Sequence, residues 1–133
     1  MYKAIFTGSA PYPLLSKNLG WEYDISKIEI PYFMIGGTGW TDDSGKYGEK
    51  QFSGVCPLFS LIENYNGIVS DVFKIRGRIA KAEHEDILKR SDGYMTAWMK
   101  YHLQDDYEAG NVFIGDKAEI LNNSNWQDIE KNK

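Results

Sequence analysis

The sequence predicts one small α/β domain, built on a mostly parallel sheet of about three strands with flanking helices. Strand-like and helix-like segments alternate along the chain, which is the order found in parallel α/β sheets. The strongest strand, Ile28–Ile35, ends in an apolar run without alternation, as in a strand covered on both faces. The length of 133 residues, with 42% hydrophobic and 26% charged residues, fits one folded core.

Two further segments have the composition of strands. Tyr2–Thr7 is short and rich in β-forming residues, and Gly8 and Pro11 end it. Asp71–Ile79 alternates apolar and basic residues, which predicts a strand that is half buried or lies at the edge of the sheet. With Ile28–Ile35 these segments make up the three predicted strands.

Helices are predicted between and after the strands. Pro57–Tyr65 begins with a proline suited to a first helical turn and carries an apolar stripe. Glu85–Gln104 is predicted as one long helix, or as two helices separated at residues 91–93. Another helix is predicted over Tyr107–Phe113. Residues 1–133 are taken as a single, partial domain whose polar tail, residues 118–133, is loosely packed.

Composition excludes several classes of protein. The net charge of −4 disfavours a nucleic-acid binder, which usually carries a basic surplus. The longest apolar run has six residues, far fewer than the 18 or so that a membrane span needs. The N-terminus lacks the basic start and apolar stretch of a secretory signal. The single cysteine, Cys56, cannot form an internal disulfide, so a cytoplasmic protein is predicted.

Two connections at the carboxyl end of the predicted sheet carry acid–base side chains. The glycine-rich turn Gly36-Gly37-Thr38-Gly39-Trp40-Thr41-Asp42-Asp43 follows the strongest strand, and His84 follows the last one. Functional groups gather at such strand ends in α/β sheets. The order of acid and then histidine is that of hydrolase triads on these sheets, with His84 as general base and Asp42, or else Asp43, orienting it. Taken separately, each connection also fits a solvated turn.

A linked set of motifs runs through most of the chain. Its members are His84–Leu88, Ser91–Trp98, Leu103–Ala109, Ala118–Asn123, Trp126–Asp128 and Pro31–Gly39. As a set they resemble the C-terminal part of bacterial α/β-hydrolase proteins similar to dienelactone hydrolases and polyester depolymerases. The resemblance implies hydrolysis of esters or related acyl compounds, and it makes the three predicted strands the last three of that fold. It also implies His84 as the triad histidine and Asp42 or Asp43 as the triad acid.

The nucleophile of that family is not found in this chain. No serine lies in a G-x-S-x-G sequence. Ser9 precedes the acid and the histidine in the expected order, but Thr7 and Pro11 stand where the two glycines should be. Cys56 is followed by Pro57, which lacks the backbone N–H that an oxyanion needs, so Cys56 is predicted to be a small apolar residue.

The sequence therefore predicts the C-terminal portion of a serine-type α/β hydrolase, inactive without the half that carries the nucleophile. Its substrate, once the site is complete, would be a small ester-type molecule. The missing strands would leave an open sheet edge, which predicts self-association or pairing with a chain carrying the N-terminal half. Two alternatives stay open: a non-catalytic interaction module that associates through that edge, and a self-sufficient hydrolase that uses Ser9. No cofactor is predicted, and two histidines with one cysteine are too few for a closed zinc site.

Overall fold

The computed structural model has one open sheet of four strands, in the order β1-β2-β3-β4, with helices against both faces. It describes residues 1–48 and 50–133. Glu49, which falls in the predicted long loop between Gly36 and Gly54, lies outside the described residues. The first three strands are parallel and the fourth is antiparallel to the third. The predicted α/β class is thus confirmed. The strands are β1 (Ile5–Gly8), β2 (Tyr32–Gly37), β3 (Lys74–Ile79) and β4 (Trp126–Lys131).

Strand β2 is the centre of the molecule, and all six of its residues are buried. Phe33 and Ile35 face one hydrophobic core, whereas Tyr32 and Met34 face another on the opposite side of the sheet. Successive side chains of a strand point to opposite faces, so a strand covered on both sides must be apolar throughout. The apolar run predicted this double coverage correctly.

Five helices and two short 3-10 turns connect the strands. Trp98, wholly buried in the third helix, donates from Nε1 to the carbonyl of Ile5 over 2.9 Å and so fastens that helix to β1. The third helix is continuous where a break was considered, because the Ser91 hydroxyl donates to the Ile87 carbonyl instead of capping a new helix. The helices are α1 (Pro13–Asn18), α2 (Leu58–Gly67), α3 (Ile87–Gln104), α4 (Tyr107–Gly110) and α5 (Glu119–Asn122), and the 3-10 turns are Ile25–Lys27 and His84–Asp86.

Strand β4 is the main departure from the predicted three strands. Its inward residues, Trp126 and Ile129, are three positions apart, so the segment lacks the alternation of a regular strand. Asp128 between them has a φ of +54°, and the register with β3 shifts beside it, which identifies a β-bulge. The bulge explains why the sequence pattern did not reveal this strand.

The fourth strand changes the surroundings of β3, which was predicted to be half buried or at an edge. It lies inside the sheet, between β2 and β4. Two of its basic side chains are paired with acids of β4: Arg76 with Glu130, and Arg78 with Asp128. The same strand orders the tail after residue 118, in which Ala118, Ile120 and Trp126 are buried. Within the described part of the chain, no helix is long and apolar enough to cross a membrane.

Strand β1 has a neighbour on one side only among the described residues. The N–H of Ile5 donates to the Pro31 carbonyl over 2.8 Å, at the start of the pairing with β2. Peptide groups alternate in direction along a strand, so those of Phe6 and Gly8 point away from β2. The sheet therefore ends at β1 in a short row of unpaired backbone groups, and this edge is open.

Candidate active site

The carboxylate of Asp42 lies at the carboxyl end of β2 and is wholly buried. The chain leaves β2 and turns back on itself, with the N–H of Asp42 donating to the Gly39 carbonyl. The turn brings Asp42 Oδ2 within 2.7 Å of the N–H of Gly37, the last residue of β2. A Cβ at Gly37 would lie 2.1 Å from the carbonyl oxygen of Ala82, in the loop after β3. Only glycine therefore fits where the loops after β2 and β3 cross.

Hydrogen bonds hold the loop after β2 against the loop after β3. The N–H of Gly39 donates to the Ala82 carbonyl over 2.8 Å, and the N–H of Lys81 donates to the Thr38 hydroxyl over 2.8 Å. The Glu83 carboxylate accepts the backbone N–H groups of residues 40 and 41 and the Thr41 hydroxyl. The structure thus uses the Glu83 carboxylate to bind the neighbouring loop.

These loop contacts also position His84, which directly follows Glu83 and whose backbone N–H donates to the Thr41 hydroxyl. Its Nδ1 lies 3.0 Å from Asp42 Oδ1, and its side chain is 47% exposed while that of Asp42 is not exposed. A carboxylate oxygen accepts at this distance only if the nitrogen carries a proton, so neutral His84 is the Nδ1–H tautomer. Nε2 then carries a lone pair, and no hydrogen bond engages Nε2 within the described residues. The pair can therefore act as a general base toward a group placed at Nε2.

Ser9 also reaches this pair, directly after β1. Its Oγ lies 3.0 Å from both carboxylate oxygens of Asp42 and 2.9 Å from Nδ1 of His84. A triad nucleophile must instead contact the nitrogen that does not face the acid. Turning the imidazole by 180° would bring a carbon, not Nε2, to the position of Nδ1. The geometry thus argues against Ser9 as the nucleophile, although the three side chains meet.

Asp43, the alternative acid, lies elsewhere. Its Oδ2 pairs with Nη1 of Arg78 at 2.8 Å and accepts the N–H of Leu58, the first residue of α2, at 3.1 Å. Its Oδ1 accepts the N–H of Gly45 and the hydroxyl of Tyr47. The structure therefore brings Asp42 to His84 and uses Asp43 to tie α2 and the following loop to β3.

Cys56 is fully buried beneath this loop, in the core on the α2 side of the sheet. Burial, and to a smaller extent the negative charge of the nearby Asp42 carboxylate, raises the pKa of its thiol well above the ordinary range. A thiol held in its protonated form is a poor nucleophile. The position fits the predicted role of a small apolar residue. Among residues 1–48 and 50–133, no group of three or more His, Cys, Asp or Glu side chains is arranged to hold a metal ion.

The sequence pattern singled out Asp42 and His84, whose side chains the structure brings together, but not the way in which other side chains hold them. Ser9 was considered only as a nucleophile, and Thr41 and Glu83, which join the two loops, lie in no recognisable motif. The one available signal was position, since Thr41 directly precedes the acid and Glu83 directly precedes the histidine. In comparisons with known proteins, no protein-family model matches the chain, and no curated protein matches it.

Proposed function

We propose that this chain carries the acid–histidine portion of a serine-type α/β-hydrolase site that acts on esters or related acyl compounds. One observation supports the proposal above all others. The buried Asp42 carboxylate accepts Nδ1–H of His84 at the ends of adjoining parallel strands, while Nε2 of the imidazole stays unengaged within the described residues. The resemblance of the linked motifs to esterases of this fold supports the substrate class.

The chemistry follows from where the protons lie. A serine hydroxyl placed at Nε2 would lose its proton to His84 as its oxygen attacks the ester carbonyl. The Asp42 carboxylate would stabilise the resulting imidazolium through Nδ1–H. Collapse of the tetrahedral intermediate would break the bond to the alcohol, which takes the proton from Nε2. Water, activated by the same nitrogen, would then release the acid and regenerate the serine.

We propose that the serine that reaches Nε2 comes from outside these residues, because Ser9 contacts Nδ1 instead. We propose that the segment that bears it pairs with the open edge of β1, because a strand there would end beside the ends of β1 and β2, where His84 lies. Association of two copies through the same edge is the competing arrangement. We further propose a cytoplasmic location, with which the single buried thiol of Cys56 is compatible.

A complementation assay tests this function. The chain is assayed alone, and together with the polypeptide encoded immediately upstream, on a panel of nitrophenyl esters and with a fluorophosphonate probe. We expect no turnover and no labelling for the chain alone, and both in the mixture, with the label on the upstream polypeptide. His84→Gln should abolish the restored turnover, whereas His102→Gln, which changes the other histidine of the chain, should retain it. Covalent labelling of Ser9 in the isolated chain would contradict the proposal.

A non-catalytic interaction module is the second candidate, and the open edge of β1 is the observation that favours it. Such a module would bind a strand without needing His84. Retention of partner binding by His84→Gln, together with the absence of labelling and turnover in the mixture, would select this second function over the first. Sedimentation as a monodisperse monomer, with no binding to the upstream polypeptide, would contradict both.

A further inference from the structure

We propose that Ser9 is a positioning residue that holds the Asp42 carboxylate and shares the Nδ1 proton of His84. The inference rests on the proposed function, since it assigns a role within the same acid–histidine pair. It follows from two independent observations: the backbone conformation of Ser9 and the set of donors around the buried carboxylate.

The backbone at Ser9 is in a conformation that disfavours a side chain. Its φ is +53°, in the left-handed region, where the Cβ of an L-residue is crowded and glycine is the usual occupant. Residues held there cluster at functional sites, where the surrounding structure compensates for the strain. Glycine at this position would remove the crowding but would also remove the hydroxyl, so the observed serine indicates that the hydroxyl matters.

The donors around Asp42 show what the hydroxyl does. Water cannot reach a wholly buried carboxylate, so each of its oxygens must accept hydrogen bonds from donors within the protein. Three groups supply them: the N–H of Gly37, the hydroxyl of Ser9 and Nδ1–H of His84. Without Ser9, the N–H of Gly37 and the imidazole would be the only donors to this carboxylate among the described residues.

The same hydroxyl accepts as well as donates. Nδ1–H of His84 points at two acceptors, Asp42 Oδ1 at 3.0 Å and Ser9 Oγ at 2.9 Å, so the proton is held in a three-centre hydrogen bond. The Ser9 hydroxyl proton goes to the carboxylate. Ser9 therefore fixes the plane of the carboxylate and the direction of the imidazole together, and it leaves Nε2 free to face the incoming nucleophile.

Imidazole NMR of the full chain tests this role without any need for activity. The ¹H and ¹⁵N resonances of Nδ1 in His84 are followed in wild type, Ser9→Ala and Ser9→Gly. Loss of the hydroxyl converts the three-centre bond into a two-centre bond to the carboxylate, so we expect the Nδ1 proton to move downfield in both variants. Ser91→Ala is the matched control, because Ser91 is equally a hydrogen-bonded serine, fully buried in α3, and should leave the resonance unchanged.

The two substitutions separate the hydroxyl from the backbone. Ser9→Gly also relieves the positive φ and is expected to fold at least as well as wild type, whereas Ser9→Ala keeps the strain. An unchanged resonance in both variants, or a change in Ser9→Ala alone, would overturn the proposal.

Activity of the complemented site gives a second readout. There we expect kcat to fall about tenfold in both Ser9 variants, as for the loss of one supporting hydrogen bond, with KM little changed. If complementation fails while both resonances move, the proposed function is lost but the role of Ser9 stands. If turnover is restored and neither kcat nor the resonance responds to the Ser9 substitutions, this inference alone is wrong.

Discussion

Thr41 and Glu83 join the two site loops one residue ahead of the acid and the histidine. The Thr41 hydroxyl donates to Glu83 Oε2 over 2.6 Å and accepts the backbone N–H of His84 over 2.8 Å. The Thr41 hydroxyl first, and then the backbone N–H groups of Thr41 and Trp40, hold the pKa of Glu83 below its ordinary value. Thr41 directly precedes Asp42, and Glu83 directly precedes His84. The hydrogen bonds between Thr41 and residues 83 and 84, here called the clamp, therefore hold Asp42 and His84 at a fixed distance.

The clamp predicts the effect of Thr41→Val, which keeps the shape of the side chain but removes its donor and acceptor. We expect the free energy of unfolding to fall by about 1–2 kcal/mol, because the Glu83 carboxylate and the His84 amide each lose a partner. Urea denaturation measures this change. Thr96→Val, at an exposed position of α3, is the control and should alter stability by no more than about 0.5 kcal/mol. Equal effects of the two substitutions would contradict a clamp.

The two neighbouring aspartates should behave differently when each is replaced by asparagine. In Asp42→Asn the amide must accept the N–H of Gly37 with its oxygen, which turns its NH₂ toward Nδ1 of His84. The imidazole proton then moves to Nε2, where it blocks general-base chemistry. We expect the ¹⁵N shifts of the two ring nitrogens to exchange character, and restored turnover to fall by roughly 10³–10⁴-fold.

Asp43→Asn is the matched comparison. It weakens the contacts with Arg78 and with the first turn of α2 but does not touch the histidine. We expect a loss of about 1–3 kcal/mol in the free energy of unfolding, with the ring-nitrogen shifts of His84 unchanged. A change of tautomer in Asp43→Asn, or none in Asp42→Asn, would reverse the assignment of the two acids.

Lys74, a residue of β3, caps the C-terminal end of α2 with its side chain. Its Nζ donates to the carbonyls of Tyr65 and Ile68 over 2.8 and 2.5 Å, where the last carbonyls of the helix lack partners in the helix itself. Burial lowers the pKa of this ammonium group, so its charge is held there against a desolvation penalty.

Lys74→Met should therefore leave two carbonyls without a donor while preserving the aliphatic stem. We expect the free energy of unfolding to fall by about 1–3 kcal/mol, measured by denaturant titration followed by circular dichroism. Lys89→Met, on the exposed side of α3, removes the same charge without a buried contact and should have little effect. A Lys74 variant as stable as the Lys89 variant would show that the cap contributes nothing.

The sequence predicts well those elements that carry their own pattern. Strand β2 has a continuous apolar run and α2 an apolar stripe, and both were placed to within a few residues of their observed bounds. Helix α1 was missed, since it spans six residues and none of them is buried, so no periodicity marks it. Strand β4 was missed because the bulge at Asp128 removes its alternation.

The candidate site likewise has a part that the sequence pattern predicts and a part that it does not. Strand order predicts that the acid and the histidine lie at neighbouring strand ends. Which aspartate meets His84 is decided by the turn at Gly39, whose carbonyl accepts the N–H groups of both Asp42 and Asp43 and so sends their side chains in different directions. No local pattern reports such a turn. The order of Ser9, acid and histidine marked Ser9 as a candidate nucleophile, but its contact with the side of the imidazole that faces the acid depends on the pairing of β1 with β2.

We expect His102 to make the free energy of unfolding depend on pH. It lies against the rings of Trp98, Tyr101 and Phe73, at centroid distances of 4.2, 4.7 and 5.8 Å. Burial, and secondarily the charge of Lys133, lowers its pKa to about 4, below the value of about 6.5 for an unfolded histidine. Between these values the unfolded chain binds the additional proton, so the free energy of unfolding falls as pH drops from about 6.5 toward 4.

The measurement is the urea midpoint at pH 7 and pH 5, above the range in which most carboxylates titrate. We expect wild type to be less stable at pH 5, and His102→Phe, which keeps an aromatic ring in the cluster but cannot bind a proton, to lose most of that difference. His84→Gln changes the only other histidine of the chain and is the matched control, in which we expect the difference to remain because the His102 cluster is untouched. A loss of stability between pH 7 and pH 5 that is as large in His102→Phe as in wild type would show that His102 is not its cause.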